Sequence, residues 1–328
     1  GGEAVLNRES SVQATAALEP RPETLTDPVR RYLLATRPAF LTITLAGCLL
    51  GFASALSGGA GFDLAAALTT LLLALLTHAG VNVLNDYYDH LNGTDAANTD
   101  RLFPYTGGSR FIQNQVFTPR QTLVFGLALF AAVIAGGLWL IAHAGAGLFW
   151  IGACGLFVGW AYSAPPFRLN SRGLGEVCVM LGFLLVVAGA DYVQRGTFAS
   201  LPWLAGLPYA LLTTNILYIN QFPDRAADIL AGKRHWVARL SPASAAHGYT
   251  LILALAGAAL VLAVWLGVLP ILALASLAGL LPGLGATRLL RRHAAEPARL
   301  APAIRLTIAG AHLHAMLLAA LLLITERT

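Results

Sequence analysis

The sequence predicts an all-α integral membrane bundle of nine transmembrane helices, with its functional site on the cytoplasmic side. Three observations lead there. The 328 residues are 57% hydrophobic and only 11% charged, against about 25% charged in ordinary soluble domains. The apolar residues come in long runs, such as 64–84, 121–141 and 249–268, and about 20 of them suffice to cross a bilayer as a helix. The lysines and arginines also gather in alternate loops.

The chain opens on a polar stretch with Glu3, Glu9, Glu19, Glu23 and Asp27 and two prolines. It has no charged n-region followed by an apolar run, so 1–29 reads as a disordered tail and 30–328 as one membrane domain. The spans then run roughly over 38–57, 64–85, 120–143, 146–163, 173–190, 202–222, 243–267, 269–290 and 301–324. Glycine and proline mark the joins: SGGAG at 57–61, SAPP at 163–166, SP at 241–242 and LP at 269–270. With the N-terminus inside, 19 of the 21 basic residues are cytoplasmic and only Arg195 and Arg327 lie outside. That asymmetry fixes the orientation and puts the C-terminus outside. It also accounts for the net charge of +5 without nucleic acid as a partner. Cys48, Cys154 and Cys178 each stand alone in apolar segments and read as small core residues.

Two polar clusters interrupt this pattern. NVLNDYYDHLNGTDAANTDR, 82–101, follows the second span, and NILYINQFPDRAADILAGKRHWVARL, 215–240, follows the sixth. Six of the sixteen acidic residues sit in them. Asn82, Asp86 and Asp89 form one overlapping stripe, and Asn85 and Asp89 share a helix face. Asn220, Asp224 and Asp228 repeat at intervals of four, again on one face. Carboxylates stacked this way repel one another and call for a cation. Oxygen donors of this kind suit Mg²⁺, which is usually held by a few carboxylates together with substrate phosphates. Basic residues follow each cluster: Arg101 and Arg110, then the chain's one lysine, Lys233, and Arg234. Carboxylates for a metal beside cations for phosphate make a pyrophosphate site. Polar groups that begin inside a membrane span are costly and usually functional. A third stretch, YSAPPFRLNSRGLGE at 162–176, places Tyr162 and Arg168 in the same compartment, where they can complete the pocket.

These motifs together resemble the UbiA superfamily of membrane prenyltransferases: NDYYD with a following Asp95, PDRAADILAGKR, and YSAPPFRLNSRGLGE between them. TRPAF at 36–40 is similar to the Arg-Pro that opens the family's first helix. The resemblance covers roughly 30–325. It implies a UbiA-like nine-helix fold and Mg²⁺-dependent transfer of a prenyl group from polyprenyl pyrophosphate to an aromatic acceptor, in the cytoplasmic (inner) membrane. It implies metal ligation by Asn85, Asp86, Asp89, Asp95, Asn220, Asp224 and Asp228, with Asp89, Asp224, Asp228 and Lys233 as the catalytic set. Arg101, Arg110, Arg168, Lys233 and Arg234 then bind pyrophosphate, and Arg37, Asn82 and Tyr162 face substrate. Five residues separate Asp89 from Asp95 where the commoner pattern has three, and Ile229 replaces a usual basic residue. That gap, GGSR at 107–110 and NQFPD at 220–224 look like the branch acting on 1,4-dihydroxy-2-naphthoate in menaquinone synthesis. Hydroxybenzoate, haem, chlorophyllide or lipid acceptors remain alternatives. A secondary transporter would place its charges near the midplane instead.

Three further expectations concern single residues. His78, one turn before Asn82, reads as a hydrogen-bonded packing residue, with a role toward the aromatic substrate as the alternative. His312 and His314 read as bundle packing. Asp191 and Arg195 read as a solvated far-side loop.

Overall fold

The computed structural model describes residues 17–325. It is helical, with no strand among the described residues. The elements are α1 (Pro28–Ala35), α2 (Leu41–Ser57), α3 (Leu64–Leu91), α4 (Thr94–Ala97), α5 (Pro119–Ala144) and α6 (Leu148–Ala161). Then follow α7 (Gly175–Arg195), α8 (Leu201–Leu230), α9 (Trp236–Arg239), α10 (Pro242–Trp265), α11 (Leu281–His293) and α12 (Ala301–Thr325). Local chemistry sets the starts. Thr118 and Gln121 form a reciprocal capping box before α5, with Pro119 in the first turn. Ser241 caps α10 ahead of Pro242, and Asp63 accepts from Ala66 N–H at the start of α3.

Each predicted span falls on a helix. Seven helical segments among the described residues are long and apolar enough to cross a membrane, as befits a multi-pass membrane protein. The other two predicted spans differ for physical reasons. That at 146–163 falls on α6, which has only 14 residues. That at 202–222 falls on α8, whose 30 residues include Pro208, Pro223 and the polar residues of the second cluster. The eighth predicted span begins as a 3₁₀ segment, Ile271–Leu280, before α11.

α2 packs on α7 and α12, α3 on α5, and α8 on α7 and α10. The largest core runs through α2, α8, α10 and α12, around Tyr209, Tyr249 and Leu318. His314 is fully buried in it, with Nδ1 3.1 Å from Ser276 O, which is the packing role expected. His312 bonds Thr42 Oγ1 at 3.0 Å. Asp191 departs from expectation: it is 1% exposed and lies within α7. Arg195 donates to it at 2.8 Å, and Ser54 Oγ at 2.8 Å, so this is a buried ion pair and not a solvated loop. Residues 1–16 of the predicted tail lie outside the described residues. The remainder of that stretch is not loose. Glu19 and Leu25 are buried, and Glu19 pairs with Arg101.

Candidate active site

The two acidic clusters meet at one end of the bundle. α3 stops at Asn92, and Gly93, with φ +81°, turns the chain so that α4 doubles back. Asp86, Asp89 and Asp95 are all buried as a result. The following loop passes between two of them. A Cβ on Gly108 would stand 2.7 Å from Asp86 Oδ1 and 2.8 Å from Asp95 Oδ2, and its φ is +73°. Only glycine fits there. Ser109 N–H then donates to Asp86 Oδ1 at 3.2 Å, and its hydroxyl donates to Oδ2.

The second cluster closes on the first through α4. Thr94 Oγ1 donates to Asp228 Oδ1 at 2.8 Å, and Asn98 Nδ2 to Asp224 Oδ1 at 2.6 Å. After α8 the chain turns at Gly232 and returns Lys233 over the cluster, with its N–H on Asp228 O at 2.9 Å. The Lys233 ammonium is 2.8 Å from Asp89 Oδ1 and 3.7 Å from Asp228 Oδ1. Removing one partner of such a buried pair costs about 3–5 kcal/mol. His235 completes the carboxylate's surroundings: its Nε2 is 2.8 Å from Asp228 Oδ2. The Ala238 N–H donates to His235 Nδ1 at 3.1 Å, so the neutral ring's proton is on Nε2, facing the carboxylate.

The electrostatics are lopsided toward negative charge. Burial disfavours the Lys233 ammonium, yet Asp89 and Asp228 outweigh it and hold its pKa above the ordinary value. Burial, then the charges of Asp89 and Asp86, push Asp95 well above the usual carboxylate range. Lys233, with the Arg37 and Arg110 guanidiniums acting on Asp86 and Asp95, faces five carboxylates, which leaves a demand for more positive charge. The Asn98 and Asn220 Oδ1 atoms are also buried without hydrogen-bond partners. Carboxylates and free amide oxygens in this arrangement fit a hard divalent cation. No cluster of three or more carboxylate, imidazole or thiolate groups is preformed for a metal among the described residues; the Lys233 ammonium lies within 4 Å of both Asp89 and Asp228.

The other predicted residues divide. Arg37, Asn82, Asn85, Tyr162 and Asn220 line one cavity of about 380 Å³ at its polar end. It runs between α2, α3, α5, α6, α7 and α8 to Leu140, Leu148 and Val193. Arg37 sits at φ +56°, donates to Tyr105 O at 3.2 Å and lies over Phe40. Asn82 Nδ2 donates to Thr36 O at 2.9 Å. Arg110 is buried but braces the loop, donating to Asp95 O at 2.5 Å and Gly107 O at 3.2 Å. Arg101 is held by Glu19 at 2.7 and 3.2 Å. Arg110 Nε keeps no hydrogen bond. Arg168 and Arg234 are exposed and form no ion pair among the described residues; Arg234 contributes only its N–H, to Ser171 O at 2.8 Å. The two arginines follow turns that aim them outward, which linear proximity does not reveal. Thr94, Asn98, Ser109 and His235 were not singled out from the sequence. Position beside the Asp motifs was the available signal for Thr94, Asn98 and His235, and the GGSR stretch for Ser109; Glu19 offered none.

An all-helical membrane bundle with two Asp motifs joined through a lysine beside an apolar cavity defines a class of isoprenoid-handling membrane protein. The chain belongs to the UbiA prenyltransferase family, whose sequence model matches residues 44–324. It is similar to "UbiA prenyltransferase domain-containing protein 1" of Danio rerio, 30% identical over 61% of this chain and 58% of that protein. It is likewise similar to a 1,4-dihydroxy-2-naphthoate octaprenyltransferase of Mycobacterium tuberculosis, at 30% over 58% of this chain and 63% of that one. The match thus spans about three fifths of each relative. A solved UbiA homologue from Archaeoglobus fulgidus, bound to DMAPP and Mg²⁺, superimposes with TM-score 0.56 over 89% of this chain and all of that one. At 16% identity it supports the fold alone.

Proposed function

We propose that the protein transfers a polyprenyl group from polyprenyl pyrophosphate to an aromatic acceptor of the 1,4-dihydroxy-2-naphthoate class. The observation that carries this is an apolar cavity lined at one end by Asn85 and Asn220, which stand on the same helices as the aspartates of the buried carboxylate–lysine cluster, Asn85 beside Asp86 and Asn220 one turn before Asp224. A lipid tail needs such a path beside a phosphate site. The relatives' names favour the naphthoate acceptor over other rings. Asp86, Asp89, Asp95, Asp224 and Asp228, with Asn85 and Asn220, would hold Mg²⁺, which supplies charge neutralisation of the pyrophosphate.

Lys233 is the cation that contacts both motifs and would bind a phosphate oxygen of the donor. Thr94, Asn98 and His235 fix the second motif's carboxylates in position. The cavity walls exclude water from the allylic carbon. The charge asymmetry supports nine spans with this end and the N-terminus in the cytoplasm, and the C-terminus outside the inner membrane. Cysteines placed at Gly93 and Gly196 are expected to label from opposite sides; labelling from one side refutes that topology. The activity test is incubation with geranylgeranyl pyrophosphate, Mg²⁺ and a panel of acceptors, with mass spectrometry of the lipid extract. Prenylated naphthoate that disappears with EDTA is expected; transfer to another ring alone refutes the acceptor.

A further inference from the structure

The cavity below the Asp motifs contains one group able to accept a proton. His78 lies on α3, seven residues before Asn85 on the chain, which places it roughly 10 Å deeper along the helix axis. Its ring lines the cavity. Nδ1 is 2.8 Å from Thr44 Oγ1 on α2, and Phe183 of α7 meets the ring edge-to-face at 5.6 Å. The ring is therefore held from two neighbouring helices. Nε2 has no hydrogen bond among the described residues, although it is not a sealed, unpartnered atom.

The other polar groups lining the cavity cannot serve as a base. None of the aspartates lines it. Thr70, Thr77 and Thr213 donate to carbonyls of their own helices, those of Ala66, Leu73 and Ala210. Asn82 and Asn220 are amides, Arg37 is a permanent cation, and Tyr162 and Cys178 are acids. His312 turns both nitrogens to neighbours, Ile308 O and Thr42 Oγ1; His78 bonds through Nδ1 alone, in a ring that lines the cavity.

We propose that His78, oriented by Thr44, is the base that takes the proton from the acceptor's ring hydroxyl. This rests on the aromatic-acceptor reading above. The O–H bond breaks and its proton goes to Nε2. The electron pair left on oxygen drives the ring carbon to bond the allylic carbon, whose C–O bond to pyrophosphate breaks with the pair leaving on pyrophosphate. The attacked carbon then sheds either its own proton, to the departing pyrophosphate, or carbon dioxide from a carboxylated ring. The oxygen recovers its proton from Nε2. The Thr44 hydroxyl can accept from Nδ1–H while the ring is protonated, so it supports the charged state as well as orienting the neutral one.

The test compares wild type, His78→Gln, His78→Ala and Thr44→Val, using geranylgeranyl pyrophosphate, Mg²⁺ and hydroxylated rings of graded acidity. A general base contributes about 10²–10⁴-fold. His78→Gln is expected to lower kcat at least a hundredfold with the least acidic hydroxyl and progressively less as acidity rises. The donor's KM and the thermal midpoint should hold, and added imidazole should partly restore His78→Ala. Thr44→Val should show the same trend at smaller size. Equal loss with every acceptor, or a loss carried by the donor's KM, would make His78 a packing residue. Undiminished kcat would route the proton elsewhere and overturn this inference while leaving the acceptor reading intact. Transfer by wild type only to rings without a hydroxyl would overturn both.

Discussion

Lys233 is where the two halves of the site touch. Its ammonium lies against Asp89 of one motif and close to Asp228 of the other. Charge-assisted contacts to phosphate contribute about 1.5–3 kcal/mol. Lys233→Ala should therefore reduce kcat/KM for the prenyl donor roughly tenfold to a hundredfold, with the acceptor's KM little changed. Steady-state kinetics with each substrate varied in turn checks this; an effect confined to the acceptor would place Lys233 in the ring pocket. His235 acts one step further out, through Asp228. Removing such an outer partner typically weakens metal binding about 10–100-fold. His235→Ala should raise the Mg²⁺ midpoint by that order, read from Mg²⁺-dependent thermal stabilisation as well as turnover. His235→Gln, which can still donate a proton, should recover much of it. Unchanged metal dependence in His235→Ala would reduce the imidazole to a cap of α9.

At the scale of elements, the loop between α4 and α5 sets the spacing of the first motif. Gly93 and Gly108 both have positive φ, +81° and +73°. They differ in what a side chain would meet: open space at Gly93, and the carboxylates of Asp86 and Asp95 at Gly108. Alanine at either position carries a backbone cost of roughly 1–2 kcal/mol. Only Gly108→Ala should also force the carboxylates apart, so its Mg²⁺-dependent activity should fall at least tenfold below that of Gly93→Ala at matched thermal stability. Equal activities would show that the loop does not set the spacing. The N-terminal segment belongs to the same device. Glu19 holds Arg101 at 2.7 Å and lies 3.9 Å from Arg110, so the chain ahead of α1 fastens the loop that lines the first motif.

Across the whole molecule, the cavity is shaped by absent side chains. At Gly137, Gly152, Gly155 and Gly182, all lining it, a Cβ would meet nothing within 4 Å. A larger residue there fills the cavity without displacing its walls. Gly152→Leu and Gly182→Leu should leave turnover of a short donor such as geranyl pyrophosphate within about threefold, and reduce that of long donors tenfold or more. The loss of even one or two methylene contacts is worth ~1–3 kcal/mol in such pockets. Competition between donors of different length in one reaction reads the shift directly. Parallel losses for all lengths would mean the prenyl tail lies elsewhere.

Some of this was legible in the residues themselves. Long apolar runs dictate helices in a bilayer, because no other element satisfies every backbone group internally. Spacings of three and four put Asn82, Asp86 and Asp89, and Asp224 and Asp228, on shared faces whatever surrounds them. Those are local facts, fixed by the helix's own geometry. What only the tertiary structure decided depends on contacts between segments far apart in the chain. Glu19 reaching Arg101, Asn98 reaching Asp224, and His78 turning toward Thr44 join residues separated by 82, 126 and 34 positions. The exposure of Arg168 and Arg234 belongs here as well. A side chain's type and its place on a helix are properties of the sequence. Which group it neutralises, and whether it faces a cavity or a neighbour, follow from how the helices pack.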